Sequence, residues 1–213
     1  MNTLFIFNIL LSSYYTSNQC QQIKTFDNLN ITEYIRKPWY ILAQQETSYL
    51  PLNSNYCVYA NYSRTNKRVP FFNGNVLSVY NYANLNKVNG EILNSNNTTL
   101  CARIKNNSEL SKLSVAPCFL PNLFAGDYWI IDVGPNSSHY EYAIVIGGQP
   151  NVKYSDGCTT KTDSINNSGL WLLSRIPLVN KEYLDSMKKT LINMNISIQL
   201  LNNVNQSNCK YKK

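Results

Sequence analysis

From residue 39 onward the chain alternates between short runs rich in Val, Ile, Tyr and Trp and clusters of Asn, Gly and Ser. β-branched and aromatic residues fit a pleated, half-buried surface, and the small polar clusters punctuate it. The runs predict strands at 39–45, 56–64, 75–82, 87–93, 112–119, 128–133, 140–146 and 170–175. Between the fourth and fifth, segment 94–109 reads as a long loop or an extra hairpin. One stretch changes period: Leu184, Met187, Leu191 and Met194 fall at i, i+3, i+7 and i+10, a single apolar stripe on a helix. Asn180 suits its N-cap, Pro177 precedes it and Asn195 can close it, after which 196–201 returns to strand character. A helix with one apolar face must pack on something larger, and the strand array is the only large partner the sequence offers. Sequential short strands at this spacing favour an up-and-down barrel or a sandwich. With no repeat and no linker, they form one domain.

Residues 1–20 contain no Asp, Glu, Lys or Arg, and 4–11 is almost continuously apolar. The run is far shorter than the roughly 18 residues that cross a bilayer, and it reads as a signal peptide over 1–18. Cleavage is expected between Tyr15 and Gln19, leaving 19–213 as the mature domain in the extracellular space. Behind such a leader, Cys20, Cys57, Cys101, Cys118, Cys158 and Cys209 read as three disulfides, although spacing alone allows fifteen connectivities. There is no C-x-x-C, and His139 is the only histidine, so neither zinc ligation nor thioredoxin-like redox chemistry is expected. The net charge of +7 is spread thinly over Lys67-Arg68, Lys188-Lys189 and the tail 210–213. That is unlike a nucleic-acid-binding stripe; it describes a solvated basic surface, with attraction to anionic membrane surfaces as the weaker functional reading. Among many N-x-[ST] sequons the loop sites Asn96, Asn106, Asn136 and Asn166 are the expected glycan acceptors, whereas Asn61 falls in a predicted strand.

Four separated blocks resemble the lipocalin family, and its apolipoprotein D-like members in particular. The run 35–41, IRKPWYI, is similar to the G-x-W-Y opening of the first strand, with Lys37 where glycine is usual. The run 57–63, CVYANYS, looks like the C-x-x-A-N-Y-S second strand. Residues 127–132, DYWIID, followed by 140–145, YEYAIV, resemble the Y-W-I-L, T-D and Y-A-L-V run, with 134–138 lengthening the turn between them. Finally 171–177, WLLSRIP, is similar to the W-I-L-A-R-x-P that ends the eighth strand, and the helix follows directly. The likeness spans about 26–209. It implies an all-β fold: an eight-stranded antiparallel up-and-down lipocalin barrel with a C-terminal α-helix packed outside and a short ninth strand. It also implies the pairs Cys57–Cys209 and Cys20–Cys158, which leaves Cys101 and Cys118 to staple the insertion to the fifth strand.

An eight-strand barrel is just wide enough to hold one small ligand. The resemblance assigns Trp39 to closing the narrow end and Arg175 to packing across it, where a guanidinium over an indole gains cation–π attraction; both are structural. Strand alternation supplies the pocket. If Cys57 points outward to reach the C-terminal segment, then Val58, Ala60 and Tyr62 point inward. Trp171 and Leu173 share parity with Arg175 and should line the interior. Tyr80, Tyr128 and Tyr142 are weaker candidates of unfixed facing. These residues suit a carrier or scavenger of a hydrophobic molecule: a fatty acid, sterol, retinoid, carotenoid or other pigment, with no cofactor and no metal. An enzyme on the same fold, an isomerase with a pocket thiol or a carotenoid-modifying enzyme with pocket acids, gains little support. The cysteines look paired, His139 lacks a supporting triad motif, and Asp127 and Asp132 suit structural roles. A secreted protein-binding module using 94–109 and a haem carrier are the other classes.

Overall fold

The computed structural model describes residues 20–94 and 96–211; the expected leader and its cleavage point lie outside them. Seven antiparallel strands follow one another: β1 (Trp39–Gln45), β2 (Tyr56–Arg64), β3 (Asn75–Asn84), β4 (Thr99–Ile104), β5 (Lys112–Pro117), β6 (Gly126–Asn136) and β7 (His139–Ile146). A small hairpin, β8 (Val152–Tyr154) with β9 (Gly157–Thr159), interrupts the path to β10 (Leu170–Ser174). β10 pairs with both β7 and β1, which closes an eight-stranded barrel and leaves no edge among those strands. A short strand, β11 (Leu201–Asn203), adds to β1 outside the closure. A four-residue helix, α1 (Ile31–Tyr34), lies at the end where β1 begins.

Period-two alternation gives the wall two apolar faces. Ala143 and Val145 join the interior cluster, while Ile144 and Ile146 join Leu42, Ile131, Leu170 and Leu172 on the outside. The outer cluster is covered by α2 (Lys181–Asn193), whose Met187 and Leu191 are buried against it, with Leu184 and Met194 at its margin. Asn180 caps the helix by accepting the Tyr183 N–H at 2.9 Å, and Asn195 beyond its end is left-handed at φ 57°. The helix has the caps and apolar face its sequence predicts.

The fourth strand is not where the sequence places it. Residues 87–93 form a compact turn: Asn86 and Asn89 are left-handed, and Gly90 packs so closely on the Leu85 carbonyl that a Cβ would not fit. Instead β4 comes from the segment read as loop or hairpin. Ala102 and Ile104 enter the interior, and Cys101 is tied to Cys118 beyond β5. Residues 134–136, expected in a lengthened turn, continue β6, so that Asn136 faces His139 across a tight hairpin. The last strand lies later than expected, at Leu201–Asn203, and the β8–β9 hairpin has no counterpart in the sequence reading.

All six cysteines are paired: Cys20–Cys158, Cys57–Cys209 and Cys101–Cys118. The first ties the N-terminal segment to β9, the second the C-terminal tail to β2. No helix among the described residues is long and apolar enough to cross a membrane.

Candidate functional site

One end of the barrel is plugged. Trp39 is fully buried, and the Arg175 guanidinium carbon sits 3.4 Å from its ring centroid. The guanidinium donates to the carbonyls of Glu33 (2.9 Å), Tyr34 (3.0 Å) and Tyr140 (3.1 Å), and to that of Lys37. Tyr140, opposite Pro135 in the ladder, turns its N–H to the Glu33 carboxylate at 3.0 Å and its carbonyl to Arg175. Trp39 Nε1–H donates to the Tyr34 carbonyl at 2.9 Å. Burial lowers the Arg175 pKa to about 10, still high enough to keep the cation at neutral pH.

Above this plug lies a cavity of about 600 Å³, within the range of pockets that hold one small molecule. Its wall is built from the inward side of seven of the eight barrel strands: Ile41 from β1, Val58, Ala60 and Tyr62 from β2, Val79 from β3, Leu100 from β4, Val115 from β5, Tyr128 from β6, and Trp171 and Leu173 from β10. Among the described residues the lining includes no Lys, Arg or His, and one carboxylate, Asp127, where β6 leaves the mouth. Tyr34, Tyr62 and Tyr128 meet at the floor. Tyr62 Oη donates to Tyr128 Oη at 2.7 Å, and Tyr34 Oη is 2.8 Å from the same atom. Burial pushes the pKa of all three phenols well up, so they are neutral.

Of the eight residues proposed from sequence, Val58, Ala60, Tyr62, Tyr128, Trp171 and Leu173 line this cavity. Tyr80 and Tyr142 do not, and their placement as pocket residues is corrected. Tyr80 alternates with inward Val79, so it stands on the outer wall, 6.1 Å from the Tyr59 ring. Tyr142 precedes inward Ala143 and faces α2: its hydroxyl donates to Asp132 Oδ2 at 3.2 Å, and its ring meets Tyr183 at 6.3 Å. Asp132 therefore lies outside the cavity, where burial raises its pKa. His139 is on the exterior at the plugged end, 2.6 Å from Glu141.

Two residues escaped the sequence reading. Tyr34 belongs to α1, too short to show periodicity. Arg103, on β4, is fully buried on the outer side of the wall and donates to the carbonyls of Cys101 (2.9 Å), Pro117 (3.0 Å) and Leu120 (2.8 Å). With the Cys101–Cys118 bridge it fastens the 118–125 loop over the wall. That loop exposes Phe119 (75%), Leu123 (82%) and Phe124 at the mouth, where Leu52, Leu93 and Ile165 from other loops are also exposed.

A closed eight-strand barrel with one helix on its wall, a plugged end and an apolar interior is the lipocalin fold. No family model matches the chain. Apolipoprotein D of Mus musculus is 27% identical over 223 residues, covering 98% of each chain. Among solved structures, lobster apocrustacyanin A1 has a TM-score of 0.54 at 19% identity, covering 85% of this chain and 83% of its own. Insecticyanin from the tobacco hornworm Manduca sexta has a TM-score of 0.53 at 16% identity, covering 87% and 85%.

Proposed function

We propose that this chain is an exported carrier or scavenger that holds one small hydrophobic molecule inside its barrel and releases it unchanged. The observation that carries the reading is the 600 Å³ apolar cavity, walled by aliphatic and aromatic side chains above a plug whose polar groups are already satisfied. Burying an apolar ligand there removes its surface from water at about 25 cal/mol per Å², and no reaction is needed. Fatty acids, sterols, retinoids, carotenoids and other pigments are the candidate classes. Val58, Ala60, Tyr62, Tyr128, Trp171 and Leu173 are the proposed ligand contacts. Export is supported by three disulfides, two of which close separations of 138 and 152 residues and which persist in oxidising compartments.

The mouth suits contact with a lipid surface. Phe119, Leu123, Phe124, Leu52, Leu93 and Ile165 are exposed on four loops around the entrance, and contiguous exposed apolar patches mark interaction sites. A net charge of +7 adds attraction to an anionic bilayer.

The test is native mass spectrometry of protein secreted from eukaryotic cells, followed by organic extraction. The reading predicts a stoichiometric adduct that partitions into the organic phase. A barrel that is empty and takes up no added fatty acid, sterol or retinoid would refute it.

A further inference from the structure

The three phenols at the cavity floor hold one more proton than their mutual contacts can use. Each hydroxyl brings one hydrogen, and only two contacts join them, Tyr62 to Tyr128 at 2.7 Å and Tyr34 to Tyr128 at 2.8 Å. No other hydrogen-bond partner reaches any of the three oxygens among the described residues. If Tyr128 donated to Tyr34, the spare proton would sit on Tyr34, which has no exposed surface and packs on Trp39 at 5.2 Å away from the cavity. Buried donors are rarely left unmade. The consistent arrangement has Tyr34 and Tyr62 both donating to Tyr128, whose own hydrogen turns into the cavity that its ring helps to line.

The charge of the lining restricts what can use that donor. Arg175 is the nearest cation to the floor, but its hydrogens are taken by backbone carbonyls beyond Trp39. At the other end of the cavity stands Asp127. A carboxylate would thus lose its water with only the Arg175 charge, behind Trp39 and donating to backbone carbonyls, to offset it at the floor, and would meet like charge at the mouth, both unfavourable. The same burial that keeps the phenols protonated leaves them as donors at every physiological pH.

Resting on the carrier reading, we propose that the floor selects uncharged ligands with an acceptor oxygen at one end of a long apolar body. A ketone, aldehyde, ester or ether enters oxygen first and accepts from Tyr128, while Tyr34 and Tyr62 are positioning residues that aim this proton. Ionised fatty acids are the class this cavity disfavours.

The experiment uses the full mature protein and displacement of the neutral fluorophore N-phenylnaphthylamine at about pH 8, where a carboxylic acid is ionised. The competitors are methyl pentadecyl ketone, heptadecane and palmitate. The ketone is expected to compete about ten-fold better than the alkane, as one hydrogen bond of about 1.4 kcal/mol requires, and better than palmitate. The double variant Tyr62→Phe with Tyr128→Phe, which removes both phenols that line the cavity, should bring ketone and alkane together, whereas Tyr80→Phe on the outer wall keeps the preference. Equal competition by ketone and alkane in the wild type, palmitate binding as tightly as the ketone, or a preference that survives the double variant would each overturn the proposal. If the double variant does not fold, the wild-type comparison of the three competitors still decides. Binding of the fluorophore without discrimination defeats the floor alone; failure of every probe to bind defeats the carrier reading and this proposal with it.

Discussion

Replacing Arg175 with Met keeps an unbranched apolar stem over Trp39 but removes every donor of the guanidinium. Five carbonyls, those of Glu33, Tyr34, Lys37, Pro38 and Tyr140, lose a hydrogen bond, though not all are stranded. Tyr34 O keeps the Trp39 Nε1–H, and Glu33 O keeps the Arg36 N–H at 3.2 Å. Lys37 O and Tyr140 O lose the only side-chain donor that reaches them, and Pro38 O loses a longer contact of 3.3 Å. Two orphaned buried acceptors cost about 1–3 kcal/mol each, and the lost cation–π contact adds about 0.5–2 kcal/mol. Against this, deleting the cation returns its desolvation penalty, the cause of its lowered pKa of about 10, and the new thioether gains apolar burial. The net expected loss is about 2–4 kcal/mol of unfolding free energy. Arg175→Lys should cost nearly as much, since one ammonium cannot span carbonyls on both sides of the indole. Urea unfolding followed by tryptophan fluorescence reads the change directly. Ligand affinity of the folded fraction should not move, because Trp39 separates Arg175 from the cavity. A Met variant within about 0.5 kcal/mol of wild type, or a Lys variant equal to it, would refute the assignment of this end to Arg175.

Glu33 provides a pH test. Burial would raise its pKa, but the Tyr140 N–H at 3.0 Å, the Arg36 side chain at 2.9 Å and the charge of Arg175 outweigh it and hold the carboxyl below its usual value of 4.5. Its contribution is therefore complete above that value and disappears as pH falls through the lower folded-state one. Wild type should exceed Glu33→Gln in urea midpoint at neutral pH, by no more than about 1 kcal/mol, and the two should converge in strong acid; a gap constant with pH would contradict this. Of the disulfides, Cys57–Cys209 closes 152 residues and Cys101–Cys118 only 17, so removing the former as paired serines should cost about 2 kcal/mol more by loop entropy, measured by thermal or urea unfolding. Arg103→Met should raise hydrogen exchange and proteolysis in 118–125 while the amides of β2 and β3 stay protected; protection unchanged in that loop would show that the disulfide alone holds it.

The sequence was informative where a strand had an anchor. Cys57 turns outward to meet Cys209, and alternation from it places Val58, Ala60 and Tyr62 inward, as they are, although Cys57 is left-handed at φ 55° and the register shifts between Tyr56 and Tyr59, so regular alternation begins only beyond the bulge. Trp171 and Leu173 take their facing from Arg175 in the same way. Tyr80 and Tyr142 sit on strands without such a marker, and β6 carries a register shift between Ile130 and Asp132, so parity carried across that pair is broken. The fourth strand was hidden by an imitation: 87–93 places Val88 and Ile92 among polar residues, yet two left-handed asparagines fold it into a turn. Arg103 reads as a surface residue from its type alone; only the loop that folds over it makes it a buried clamp, and no local pattern announces that loop. Tyr34 is the same kind of case, since its meaning depends on Tyr62 and Tyr128, distant in sequence and adjacent only when the barrel closes.

The central claim is that ligand occupies the barrel interior and nowhere else, and it is tested most directly by blocking that interior. Ala60 projects into the cavity from β2 and Tyr80 stands on the outer wall of β3. Isothermal titration of a retinoid or sterol into wild type, Ala60→Trp and Tyr80→Ala, each checked for folding by near-ultraviolet circular dichroism, separates the two faces. Binding at one site per chain that Ala60→Trp abolishes and Tyr80→Ala preserves is the predicted result; undiminished binding to Ala60→Trp, or its loss in Tyr80→Ala, would contradict the account.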